Sequence, residues 1–252
     1  MKLTFLGTGT STGVPEAGCI CEICKSTDKK DKRLRCSSLI EVGNKHILID
    51  CGPDFRYQMI RAGVMRIDAV LLTHHHYDHI GGLDDLRPYS RNQDVPIYAE
   101  AYVHKAIRRC LPYAFTDHRY PGVPQLRLNT ITEEPFEIQG IPIIPIRLMH
   151  ANLPILGYRI GDIAYLTDVK VIPEEEFDKL KGVKTLILDA LRFKREHISH
   201  IIVPEALAYA NRIAPEETYF IHMSHQIGFH EEANSRLPEH FHFAYDEQVL
   251  TL

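Results

Sequence analysis

Short apolar runs, either alternating or continuous, recur along the whole chain. They predict strands at 3–6, 37–42, 46–50, 68–72, 95–99, 141–148, 156–160, 162–167, 184–188, 217–221 and 241–245. Between them, helical spacing predicts helices at 54–62, 80–90, 100–110, 173–180, 201–212 and 229–236. Gly43-Asn44 and Gly161-Asp162 interrupt the pattern as hairpin turns. Hairpins mixed with strand–helix–strand units imply an α/β protein with a mixed sheet, or two sheets, and helices outside. No Pro/Gly/Ser linker divides the pattern, so a single domain over 1–252 is the economical expectation.

Composition narrows the class. With 252 residues, 44% of them hydrophobic and 25% charged, the chain can bury a sizeable core. A formal charge of −4 gives no overall reason to expect nucleic-acid binding, although a local basic patch stays open. The opening Met1-Lys2-Leu3-Thr4-Phe5-Leu6-Gly7 turns to glycine too soon for a signal-peptide apolar region. No apolar run reaches membrane-spanning length, so a cytoplasmic protein without membrane contact is expected. Six cysteines are too few and too clustered for a disulfide framework. Cys36, Cys51 and Cys110 read as scattered thiols. Fifteen histidines without a tryptophan make the chain His-rich, and the excess is concentrated.

The densest cluster is His74-His75-His76-Tyr77-Asp78-His79, between the strand-like run Asp68–Thr73 and a Gly81-Gly82 break. Imidazole with carboxylate suits zinc, manganese or iron rather than calcium or magnesium alone. Alternation along an extended chain sends His74, His76 and Asp78 to one side and turns the neighbouring Asp78 and His79 apart, which argues for two metals. A run of surface histidines is the bland alternative. The cluster cannot complete two sites, and three residues of suitable type stand at strand ends: His150, Asp168 and His222. Singly, each would pass for a turn residue.

The spacing His74-x-His76-x-Asp78-His79, with His150, Asp168 and His222 beyond it, resembles the metallo-β-lactamase superfamily over essentially the whole chain. That resemblance implies an αββα sandwich, two mixed sheets flanked by helices. It assigns one metal to His74, His76 and His150 and the other to Asp78, His79 and His222, with Asp168 bridging. Relatives with other activities fit less well. True β-lactamases commonly carry Cys in place of Asp168, flavodiiron proteins carry Glu in place of His76, and glyoxalase II adds a helical domain. The phosphodiesterase branches remain, tRNase Z and the PhnP-type enzymes, and Leu6–Pro15 resembles the opening of both. Its glycines miss the dinucleotide-loop spacing and read as a tight turn after the first strand.

Cys19, Cys21 and Cys24 favour the PhnP type, whose members carry such a loop, here at about 15–36. Three thiolates need a fourth ligand for a tetrahedral structural zinc. The resemblance supplies His225, with Cys36 as competitor. It also implies a general acid at His200, with His197 three residues away kept open. Lys29–Arg35 is the one notable basic run; a solvated loop is the simpler reading and phosphate steering the functional one. His46, His104, His118, His230, His240 and His242 read as surface or core residues.

The expected function is a metal-dependent phosphodiesterase that cleaves a small, even cyclic ribose, phosphodiester through a hydroxide bridging two Zn or Mn ions, with Asp168 and His200 as the catalytic residues. Alternatives are a tRNase Z-like nuclease, a thioester or lactone hydrolase, and a non-catalytic metal-binding protein. The partner is then a small substrate, with nucleic acid less favoured and a homodimer open.

Overall fold

The computed structural model describes residues 1–116, 120 and 122–252; His118 lies outside them. The chain divides into two compact units, one of Met1–Gly7, Arg35–Thr132 and Glu247–Leu252, the other of Thr8–Leu34 and Glu133–Asp246. Each is built on one seven-stranded sheet.

The first unit holds β1 (Lys2–Gly7), β2 (Ser37–Val42), β3 (Lys45–Ile49), β4 (Ala69–Leu71), β5 (Val95–Ala99), β6 (Leu126–Thr130) and β14 (Val249–Thr251), in the order β14-β1-β2-β3-β4-β5-β6. From β3 to β6 neighbouring strands are parallel. Ala69, Val70 and Leu71 are completely buried, as both-face burial of a parallel strand demands. Val70 packs in one core with Leu48, Met59, Ile97, Val103 and Ile107. The last four of these side chains come from the helix Phe55–Ala62, from β5 and from the helix Ala101–Cys110.

The second unit holds β7 (Phe136–Ile138), β8 (Ile141–His150), β9 (Leu153–Ile160), β10 (Ile163–Leu166), β11 (Thr185–Asp189), β12 (Glu217–Ile221) and β13 (Phe241–Phe243), in the order β13-β12-β11-β10-β9-β8-β7. Strands β10 to β13 are parallel, while β9 is antiparallel to both β8 and β10. The ends of β8, β10, β11 and β12 therefore point the same way, and carboxyl ends of parallel strands are where side chains can converge on a ligand.

The two mixed sheets with helices agree with the expected fold class, and both hairpins form, at Gly43-Asn44 and Gly161-Asp162. Three strands escaped the pattern: β6, β7 and β14. All three are sheet edges, where one neighbour suffices and polar side chains are tolerated, as Arg127 and Asn129 are in β6. The helix expected at 80–90 is not continuous. An α-turn spans Tyr77–Ile80, and a 3₁₀ stretch containing Pro88 follows over Leu83–Ser90. The expected 173–180 helix likewise divides into a 3₁₀ turn, Glu174–Glu176, and Phe177–Leu180. Among the described residues no helix is long and apolar enough to cross a membrane.

Candidate metal centre

In the first unit, β4 ends at Leu71 and the chain runs on to His74 before the helical turn Tyr77–Ile80 begins. That turn corrects the extended-chain geometry. Asp78 and His79 do not point apart: Asp78 Oδ2 lies 3.2 Å from His79 Nε2. The ring of His74 is 4.6 Å from that of His76 and 4.2 Å from that of His79. The turn is held against the loop after β3, since Cys51 N donates to His79 O and Gly82 N to Cys51 O. A side chain at Gly52 would fall 2.0 Å from Asp78 O, and one at Gly82 2.0 Å from Gly52 O, so this approach requires two glycines.

Asp50, which sequence reasoning missed, organises this cluster. It follows β3 with a positive φ of 60° and is wholly buried. Its Oδ2 lies 2.7 Å from His79 Nδ1 and accepts from Thr73 Oγ1 at 2.9 Å. The one Thr73 hydroxyl proton is thus committed, so Thr73 Oγ1 accepts from His74 Nδ1, 3.0 Å away. Both imidazoles are held with Nδ1 protonated, and Nε2 carries the ligating lone pair. Burial pushes the Asp50 carboxyl upward, against the pull of His79. The one sequence signal for Asp50 was its place at a strand end, the signal that did single out His150, Asp168 and His222.

In the second unit His150 is the last residue of β8, Asp168 lies two residues past β10, and His222 directly follows β12. Asp168 and His222 have φ of 57° and 59°, a conformation costly for non-glycine residues. His150 Nδ1 donates to Asp168 O at 2.9 Å, which again assigns the lone pair to Nε2, while burial holds the His150 pKa below its ordinary value. His222 Nε2 is 3.4 Å from Asp168 Oδ1. The buried His200 joins them, its ring 4.7 Å from those of both His150 and His222.

A second missed residue sits here. Asp189 ends β11, fully buried, with Oδ2 3.3 Å from His200 Nδ1 and Oδ1 3.5 Å from His222 Nδ1. The loop carrying His200 is fixed by Ile201 N donating to Val169 O, and by Arg192, which reaches the carbonyls of Arg195 and Glu196. His197 is half-buried, and its Nδ1 accepts from Ser199 N. Burial and the neighbouring His200 hold the His197 pKa low.

Also in this unit, Cys19, Cys21, Cys24 and His225 form a group able to hold a metal ion. Their sulfurs lie 3.4, 3.8 and 3.3 Å from His225 Nδ1. Tetrahedral zinc with ordinary bond lengths sets sulfur and nitrogen about 3.5 Å apart, so the donor set fits. The competitor Cys36 belongs to the other unit and is buried there. The backbone N–H of Cys24 lowers the Cys21 thiol pKa, whereas burial pushes Cys24 to about 11. Holding Cys24 as a thiolate therefore calls for a cation beside it. The loop is bound to the strand end carrying His222, because Thr10 N donates to Met223 O and Met223 N to Thr8 O.

The basic run is mostly consumed within the fold. Lys30 pairs with Glu231, Lys32 donates to Cys24 O, and Arg33 is buried against Thr8 and Ala244 O. In the other unit Arg35 pairs with Asp54. His46 faces Glu41 and Asp68, His104 is buried beside Thr130, and His230 accepts from Arg33. His240 and His242 share Glu217.

A family model described as Beta-lactamase superfamily domain matches residues 45–223. A solved structure described as a new diphosphatase from the PhnP family aligns with a TM-score of 0.92 at 40% identity, over 99% of this chain and 96% of that one. The chain belongs to the metallo-β-lactamase superfamily, on its PhnP branch. This superfamily member is also 46% identical, over 248 residues, to an octanoyltransferase of Porphyromonas gingivalis, covering 98% of this chain and 50% of that protein. It is 28% identical over 169 residues to a ribonuclease Z of Acaryochloris marina, covering 64% and 48%. The chain spans about half the length of these two curated relatives. As a member of this superfamily it carries His, Asp and Cys groups of the kind that bind divalent metals.

Proposed function

We propose that the protein is a metal-dependent phosphodiesterase acting on a small phosphodiester, with a phosphomonoester as product. By family membership, the residues that would hold its metal pair are His74, His76, Asp78, His79, His150, Asp168 and His222. Cys19, Cys21, Cys24 and His225 hold a structural zinc. Two divalent metals, when bound, supply Lewis acidity that activates water and offsets charge on the phosphoryl oxygens.

The protein groups do the rest. Asp50 and Thr73 hold His79 and His74 with Nε2 as the donor atom. Asp168, whose φ is 57° and whose Oδ2 accepts from the Thr167 hydroxyl at 2.8 Å, would be the ligand shared by both metals, the role that family membership implies. His200 protonates the departing oxygen, and Asp189 orients its ring.

The observation that carries this reading is the buried His200–Asp189 pair. An alkoxide leaving a phosphodiester needs a proton, whereas a thiolate leaves without one, so a held proton donor favours oxygen esters over thioesters. Similarity to a PhnP-family diphosphatase and to ribonuclease Z supports phosphoryl chemistry. The octanoyltransferase name describes a protein of about twice this length, of which this chain covers 50%.

The test is hydrolysis by manganese- or zinc-loaded protein of bis(p-nitrophenyl) phosphate, 2′,3′-cyclic nucleotides and ribose 1,2-cyclic phosphate, with tRNA, a thioester and a lactone in parallel. Turnover of small phosphodiesters that is lost in Asp168→Ala supports the proposal. Turnover confined to tRNA, or to the thioester or lactone, replaces it with the corresponding alternative.

A further inference from the structure

Tyr77 is an aromatic residue set inside the ligand motif, between His76 and Asp78. It is 68% exposed although it opens the turn Tyr77–Ile80 that carries Asp78 and His79. An exposed ring on a protein surface is ordinary when it is scattered and free to swing. This one packs against backbone. Its ring lies over Gly81: a Cβ there would fall 2.8 Å from Cζ and 2.9 Å from Cε2. Gly81 itself has φ −65°, ψ −14°, an ordinary helical conformation open to any residue. The same Cβ would fall 2.7 Å from Tyr77 O, so glycine at 81 makes room for the turn's own carbonyl as well as for the ring. On the other side of the ligand His76, His75 meets Tyr102 edge-on, with ring centroids 5.4 Å apart.

A large aromatic ring seated on backbone, open to water and one residue from two metal ligands is a surface for stacking. We infer that Tyr77 is the platform for a flat aromatic group of the substrate, so that the ester cleaved is of nucleotide type rather than a bare sugar phosphate. The inference rests on the phosphodiesterase reading for its chemistry but not for its binding test. Stacking on an aromatic side chain contributes about 5- to 150-fold to the affinity of a base and is tolerant of which base is present.

The probes are adenosine 5′-monophosphate and ribose 5-phosphate, titrated calorimetrically into manganese-loaded wild type, Tyr77→Phe and Tyr77→Ala. Wild type and Tyr77→Phe are expected to prefer the nucleotide, and Tyr77→Ala to lose about 10-fold in affinity for it while its ribose 5-phosphate affinity stays within about twofold. Equal affinity of the wild type for the two probes overturns the inference, as does a preference that survives in Tyr77→Ala. Metal content and melting of Tyr77→Ala are measured alongside, and Tyr77→Ser provides a second ring-free variant if the first fails to fold. Nucleotide preference without turnover of any phosphodiester would sink the proposed function and leave the stacking role standing. Turnover of ribose cyclic phosphate without nucleotide preference would do the reverse.

Discussion

Asp189 Oδ2 lies 3.3 Å from Nδ1 of His200, and both groups are buried. The pair has a counterpart in the other unit, where Asp50 lies 2.7 Å from His79. In each sheet one buried carboxylate at a strand end orients the imidazoles around it, a device that fixes the tautomer of a histidine.

Asp189→Asn keeps the shape and removes the charge. With saturating metal, we expect hydrolysis of esters with poor leaving groups to slow by about 10- to 100-fold, and p-nitrophenyl esters to be affected much less. His200→Ala should show the same steepened dependence on leaving-group acidity with its metals retained. Unchanged dependence in both variants would move the acid role to His197 or to water.

Asp50→Asn disturbs His79 directly and His74 through Thr73. Competition with a chelator should show metal affinity falling by about 10- to 100-fold. Affinity equal to wild type would mean that the two rings keep their orientation without the carboxylate.

Asp168→Ala should lose both active-site metals and activity together, read by elemental analysis and turnover on one preparation. A variant with full metal content and full activity would end the bridging assignment.

Cys21→Ser should reduce zinc by about one equivalent and lower the melting temperature, with the metal pair spared at first. Cys36→Ser should leave zinc unchanged. An unaltered melting curve in Cys21→Ser would count against the structural zinc.

His230 predicts a pH effect on stability. Burial, then the guanidinium of Arg33, lowers its pKa from 6.5 to about 4. Between these values the unfolded chain takes up a proton that the folded one refuses, so stability is complete above about pH 6.5 and declines as the pH falls toward 4. The loss should be on the order of 2 kcal/mol, taking the shift below its full linkage value because the site is not fully shielded. Urea titrations at pH 7 and pH 4.5 should show that extra loss in wild type and not in His230→Gln. Equal losses in the two proteins would remove His230 from the account.

Much of this molecule was readable from its pattern. Central strands are apolar because they are buried on both faces, so β3, β4, β5, β10 and β11 announced themselves, while the edge strands β6, β7 and β14 did not. The histidine motif and the three cysteines were equally plain, since metal-donor residues at close spacing stand out locally. The direction in which Asp78 and His79 point was misread, because an extended chain was assumed where a helical turn begins at Tyr77.

The sequence by itself determined the superfamily, the fold class and the kinds of donor atom available, all of which depend on residue type and short-range spacing. Tertiary structure alone decided which carboxylates serve which imidazoles: Asp50 meets His79 across 29 positions, Asp189 meets His200 across 11, and Cys24 meets His225 across 201. Such partnerships follow from strand register and loop closure. A lone aspartate at a strand end looks the same in the sequence whether it caps a turn or holds a catalytic histidine in place.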